Sequence, residues 1–173
     1  MLNILRHLSY QMAHKWWALK GCWKLGLYWR GIKHDLSKLR PSEFLGYITQ
    51  DLKEHLEQKA NYDGMEGAIA TAGERYKKSV QLHYKRNTHH WQHWASPLWL
   101  NGAYKGILAQ SVPTDDIIEM VVDWWAANKV QHLPFTVTEW YEKMKDRIYM
   151  LPESSEYLEL RLAALIQHLD ETA

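Results

Sequence analysis

A chain of 173 residues with 46% apolar content is long enough to form one domain with a real core, and too apolar to be disordered. Its 21 basic and 20 acidic residues leave a net charge of +1, which excludes the broad phosphate footprint of a general nucleic-acid binder. The apolar stretches are too short and too charged to span a bilayer, and a single cysteine, Cys22, excludes a disulfide framework or a cysteine-rich zinc module. The setting this favours is a reducing cytoplasm.

In chain order, "MLNILRHLSYQMAHKWW" reads as a mature amphipathic helix rather than a signal peptide, covering about residues 3–20 and ending near Gly21. A second helix is expected over 22–39, with Pro41 marking the break. "SEFLGYITQDLKEHLEQ" has amphipathic spacing, and "NYDG" after it is a turn signal. A long helix follows from about Glu66 to Trp94, interrupted at most at Gly73 and at Asn87–Thr88. "ASPLWLNGAYKGILAQSVP" reads as a loop or a set of short turns. Thr114 caps a helix to about Asn128 with Asp115 and Asp116 in its first turn, where carboxylates suit the helix dipole. Thr136 and Glu139 have capping-box spacing ahead of a helix to about Met150, and Pro152 opens the last one. The expectation is an all-α fold, a single domain over 1–173 with six or seven helices and no sheet.

Ten histidines are what need explaining, because imidazole is the commonest metal ligand. In "KHDLSK", His34 and Asp35 on one helix diverge by about 100°, and both can lean toward a point above the seam between them. One helix then delivers two ligands to one ion, and Lys38, a turn later, suits an anionic substrate group beside it. The plain alternative is a local histidine hydrogen bond and an i,i+3 surface pair of Asp35 with Lys38. "HYKRNTHHWQH" holds four more histidines. On a helix, His83 and His90 fall within roughly 20° of each other, with Asn87 between them to orient a ligand or a water. His89 and His93 make a rival i,i+4 pair, and the first pair is preferred. Asp123, among Val121, Val122, Trp124 and Trp125, needs a partner if buried, either a salt bridge or a metal. Asp116 and Glu119 share its approximate face. His14, in "MAHKWW", and His7 read alone as core histidines, and His55, His132 and His168 as surface or packing residues.

The order His14, His34–Asp35, His83 and His90, Asp123 resembles the HD-domain superfamily of metal-dependent phosphohydrolases. "HDLSK" is similar to the His-Asp-x-x-Lys form of members that bind two metals. With "HYKRNTHHW" and "MVVDWW" it also resembles a small uncharacterised bacterial and phage family grouped with HD proteins. The resemblance covers about residues 10–128 and leaves 129–173 unassigned.

It implies an HD-like helical fold and a divalent ion (Mn, Fe, Co, Ni or Zn) held by His14, His34, Asp35 and Asp123, with His83 and His90 for a second. The implied reaction is hydrolysis of a phosphate ester, with a phosphorylated small molecule, a nucleotide by preference, as substrate. Lys38, Asp35 and Asn87 are the catalytic candidates, and Lys38, Arg86 and Lys85 the substrate-binding ones. Tyr84, Trp91 or Trp124 are available to stack on a base, with core packing as the commoner use of such residues. The tryptophan surplus leaves room for an apolar homodimer face. Rival expectations are a di-iron oxygenase of the same superfamily and a non-catalytic helical binding or regulatory module.

Overall fold

The computed structural model describes the backbone of residues 2–58 and 66–171 and the side chains of residues 5–49 and 73–171. The "NYDG" turn and the His55 side chain lie outside these. The chain is predominantly helical, as expected, with seven α-helices among the described residues. They are α1 (Leu2–Lys24), α2 (Tyr28–Lys33), α3 (Pro41–Gln58), α4 (Glu66–Arg86), α5 (Thr114–Gln131), α6 (Val137–Met144) and α7 (Pro152–Glu171). Two strands, β1 (Ala95–Leu100) and β2 (Ala103–Ala109), lie between α4 and α5. No described helix is long and apolar enough to cross a membrane.

The chain forms two compact units, one from Met1–Met12 with Asp35–Asn87, the other from Ala13–His34 with Thr88–Ala173. In the first, α3 packs along α4. The two come close at Gly46, where an added Cβ would sit 1.8 Å from Ser79 Oγ and 2.8 Å from the Arg75 carbonyl oxygen. Ser79 is buried and donates to the Ser42 carbonyl, so it has little room to yield. Gly46→Ala is expected to cost at least about 1–3 kcal/mol, read as a lowered urea midpoint with an unchanged slope.

The second unit holds the apolar core. Val121, Val122 and Trp125 of α5 pack with Leu158, Leu162 and Leu169 of α7 and with Ala18 and Cys22 of α1. Gly21, expected to end the first helix, instead lies inside α1. There its missing side chain admits Val122, whose Cγ1 would be 2.7 Å from a Cβ. The stop comes later, at Gly26, in the left-handed conformation with φ +77°. The Cys22 thiol is buried and its pKa is pushed up to about 12, chiefly by burial and then by the charge of Glu119. The capping box forms as expected. Glu139 N–H donates to Thr136 Oγ1, and Thr136 N–H donates to Glu139 Oε2. α6 is shorter than expected, giving way to a 3₁₀ turn at Lys145–Arg147.

Three local expectations are corrected. The 95–109 stretch is an antiparallel hairpin, not a loop, turning at Asn101 and Gly102 with φ of 51° and 75°. That is the Asn-Gly two-residue turn whose twist suits a hairpin. Pro97, a register shift at Leu98/Trp99 and Gly106 break the polar/apolar alternation that marks a strand.

The second helix does not run through "HDLSK". α2 ends at Lys33, His34 is extended (φ −48°, ψ 124°), and Asp35 is left-handed (φ 56°, ψ 15°) before a 3₁₀ turn at Leu36–Leu39. Lys15 Nζ holds this break by donating to the carbonyl oxygens of Ile32 and His34, both at 2.8 Å. His34 and Asp35 are thus adjacent across a backbone break, not along one helix.

Finally, α4 ends at Arg86 although it runs unbroken through Gly73. His90 is extended (φ −100°, ψ 128°), so His83 and His90 do not share a helical face.

Candidate metal centre

In the second unit, three side chains from three helical segments converge. His14 comes from the middle of α1, His34 from the end of α2 and Asp123 from α5. His14 Nε2 lies 2.9 Å from Asp123 Oδ1, His34 Nε2 3.2 Å from the same oxygen, and the two nitrogens are 3.4 Å apart. His14 and His34 are 3% and 1% exposed. Burial pushes the Asp123 carboxyl up, but hydrogen bonds from His14 and His34 outweigh it and hold the group well below the usual carboxylate range.

A divalent ion fits this donor set. With metal–ligand distances of about 2.1 Å, neighbouring ligands stand about 3.0 Å apart in an octahedron and about 3.4 Å apart in a tetrahedron. The three edges observed here span that range. Two imidazoles and a carboxylate mix N and O donors, which suits Mn, Fe, Co, Ni or Zn without selecting one.

Glu119, one turn before Asp123 on α5, stands behind His34. Its Oε1 lies 3.0 Å from His34 Nδ1 and 3.2 Å from His89 Nδ1. Its Oε2 accepts from Arg30 Nη1 at 3.0 Å, and the same nitrogen donates to Asp116 Oδ1 at 2.6 Å. Thr88 Oγ1 also donates to Asp116 Oδ1. Burial pushes the Glu119 carboxyl up, and hydrogen bonds from His34 and His89 overcome it to keep the group ionised far into acid. His34, His89 and Glu119 form a second, overlapping group whose ligand atoms lie within 4.8 Å of one another. The two groups share His34, and Arg30 already neutralises charge on Glu119. The first group therefore has the stronger claim on a cation.

The first unit carries a second buried polar cluster. His83 Nδ1 lies 3.0 Å from Glu43 Oε2, and His83 Nε2 lies 3.3 Å from Asp35 Oδ1. Glu43, fully buried, also accepts from Ser37 Oγ at 2.8 Å and from Arg86 Nη1 at 2.6 Å. Asn87 Nδ2 donates to Ser37 Oγ and to the His83 carbonyl, both at 2.7 Å. Lys38 Nζ donates to Asp35 Oδ2 at 2.6 Å and stands over the Tyr47 ring. The i,i+3 pair weighed in the sequence is real, but it is largely buried rather than on the surface, with side chains 4% and 18% exposed.

The sequence-predicted residues thus divide. His14, His34 and Asp123 meet in one unit, and Asp35, Lys38, His83 and Asn87 lie within one network in the other. Arg86 commits its guanidinium to Glu43 and Ser42, and Lys85 is exposed on α4. His90 is half-buried, its ring 4.2 Å from that of His89. Trp91 and Trp124 pack against the core, Trp124 with its ring 4.9 Å from Trp140, while Tyr84 lies beside His83. His7 is buried and stacks on Tyr47, and His132 and His168 are exposed.

Four residues of these clusters lie outside the sequence-predicted set. In the sequence Glu43 reads only as part of an amphipathic helix, and Arg30 carries no signal. His89 reads as half of a pair with His93 that the end of α4 dissolves. Glu119 shares the approximate face of Asp123, and its spacing of four from that residue is the available signal.

The model of one family, described as a family of unknown function (DUF5662), matches residues 3–169. No curated protein and no solved structure matches the chain.

Proposed function

The chain belongs to the family of unknown function DUF5662, and we propose that it is a metal-dependent phosphohydrolase of HD type, acting on a nucleotide or similar phosphate ester in a reducing cytoplasm. The observation that carries this reading is the buried triangle of His14 Nε2, His34 Nε2 and Asp123 Oδ1, with edges of 2.9 to 3.4 Å. Two neutral imidazoles and one carboxylate leave a divalent ion with net positive charge. When bound, such an ion supplies the Lewis acidity that acidifies water and polarises a phosphoryl oxygen.

The chain's own residues take the remaining roles. The resemblance also implies Asp35, the next residue after His34, as a ligand, and His83 and His90 as candidates for a second ion. Lys38 brings a cation suited to non-bridging phosphoryl oxygens, its ammonium held by Asp35 at 2.6 Å. Asn87 offers an amide to orient the attacking water. Arg86 and Lys85 stand near the end of α4, and Lys85, being exposed, is the freer of the two to meet substrate phosphate.

The test is phosphate release from nucleoside mono- and triphosphates and a cyclic phosphodiester, with Mn²⁺ or Co²⁺ added. Metal-dependent release is expected, falling at least about a hundredfold in Asp123→Asn. Loaded protein that hydrolyses none of these overturns the reading. Bound iron with dioxygen uptake on a polyol or phosphonate would assign the oxygenase instead. A protein that takes up no metal would assign the non-catalytic module.

A further inference from the structure

A metal-binding histidine is fixed by what its other nitrogen does, since a carboxylate on one ring nitrogen sets the tautomer and aims the other. Glu119 Oε1 reaches Nδ1 of both His34, at 3.0 Å, and His89, at 3.2 Å. The two rings lie 4.5 Å apart at 33°, so they hang from that oxygen on the same side and nearly parallel. Were they on opposite sides, their centres would stand about 8 Å apart. Both Nε2 atoms therefore face away from Glu119. For His34 that direction is the one in which His14 and Asp123 lie.

We propose that Glu119 is a positioning residue that holds His34 and His89 together as Nδ1–H donors, so that the His34 ring is fixed with Nε2 presented to the metal. The inference rests on the metal-centre reading above. Arg30, on Glu119 Oε2 at 3.0 Å, keeps the carboxylate turned toward the two rings and balances its charge. Glu119 is thereby an orienting group and not itself a ligand. Asp116 shares Arg30 but touches neither ring in this network, and so serves as the control position.

The experiment has two arms. The first titrates metal-free protein with Mn²⁺ alone. Glu119→Ala is expected to weaken binding about ten- to a hundredfold. Glu119→Gln, which keeps an acceptor oxygen, should recover part of the loss, and Asp116→Asn should stay within about threefold of wild type. The second arm records long-range ¹H–¹⁵N spectra of the imidazoles in metal-free wild type, where Nδ1 of both His34 and His89 should carry a proton.

Wild-type affinity in Glu119→Ala, or an unprotonated Nδ1 on either ring, overturns the proposal. If Glu119→Ala does not fold, Glu119→Gln and the wild-type spectrum still decide it. Wild type that takes up no Mn²⁺ sinks the metal-centre reading and this metal role with it, an outcome distinct from a loaded wild type that is indifferent to Glu119.

Discussion

Replacing His34 with alanine is expected to abolish divalent-metal uptake while leaving the protein folded. His34 Nε2 supplies two of the three edges of the donor triangle, to Asp123 at 3.2 Å and to His14 at 3.4 Å. Without it only His14 and Asp123 are left of that group, and two ligands do not retain a first-row ion against buffer. The expected loss of affinity exceeds about a hundredfold, since perturbing even an outer partner costs about 10–100-fold. Metal content after dialysis, read beside the helical circular dichroism signal, separates loss of the site from loss of the fold. His132→Ala, at the exposed end of α5, should bind metal as wild type does. A His34→Ala protein that still carries a full complement of metal would place the ion elsewhere.

Glu43→Ala is expected to be the most destabilising change in the first unit, at about 3–5 kcal/mol. Glu43 is fully buried and accepts from Ser37 and Arg86 while facing His83 Nδ1 at 3.0 Å. Its removal strands the half-buried guanidinium of Arg86, and an uncompensated charge costs more than the pair contributed. The double variant Glu43→Ala with Arg86→Met should therefore recover part of the loss, a coupling that a double-mutant cycle in urea measures. A single-variant loss under about 1 kcal/mol, or strict additivity in the cycle, would show that Arg86 and Ser37 find other partners.

The helices were legible in the sequence because their signals are local. The amphipathic run of α3, the first-turn aspartates of α5, the Thr136–Glu139 box of α6 and Pro152 at the head of α7 each lie within a few residues of the feature they specify. What was not legible is set from a distance. No glycine or proline marks the break between His34 and Asp35. The break is held by Lys15, whose ammonium takes up the freed carbonyls, and aspartate tolerates the left-handed conformation there better than most residues.

Gly21 reads as a stop in the sequence and is in fact a close-packing position, because Val122 fills the space above it. The hairpin differs, since its Asn101–Gly102 signal was local and present. It was masked by flanking runs that carry Pro97 and Gly106.

Of the candidate site, the order of ligand types along the chain pointed to His14, His34 and Asp123. Their convergence is a tertiary fact that helical periodicity cannot supply. The partners behind them follow the same division. Glu119 is recognisable only once His34 and His89 are seen to share its oxygen, and Glu43 only once His83 and Arg86 are seen to meet on it.

The most direct test of the metal centre is anomalous scattering from crystals grown or soaked with Mn²⁺ or Co²⁺. The structure predicts a peak about 2.0–2.3 Å from His14 Nε2, His34 Nε2 and Asp123 Oδ1 together. A crystal at full metal occupancy with no peak bonded to these three atoms, or with the imidazoles of His14 and His34 turned apart, would contradict it.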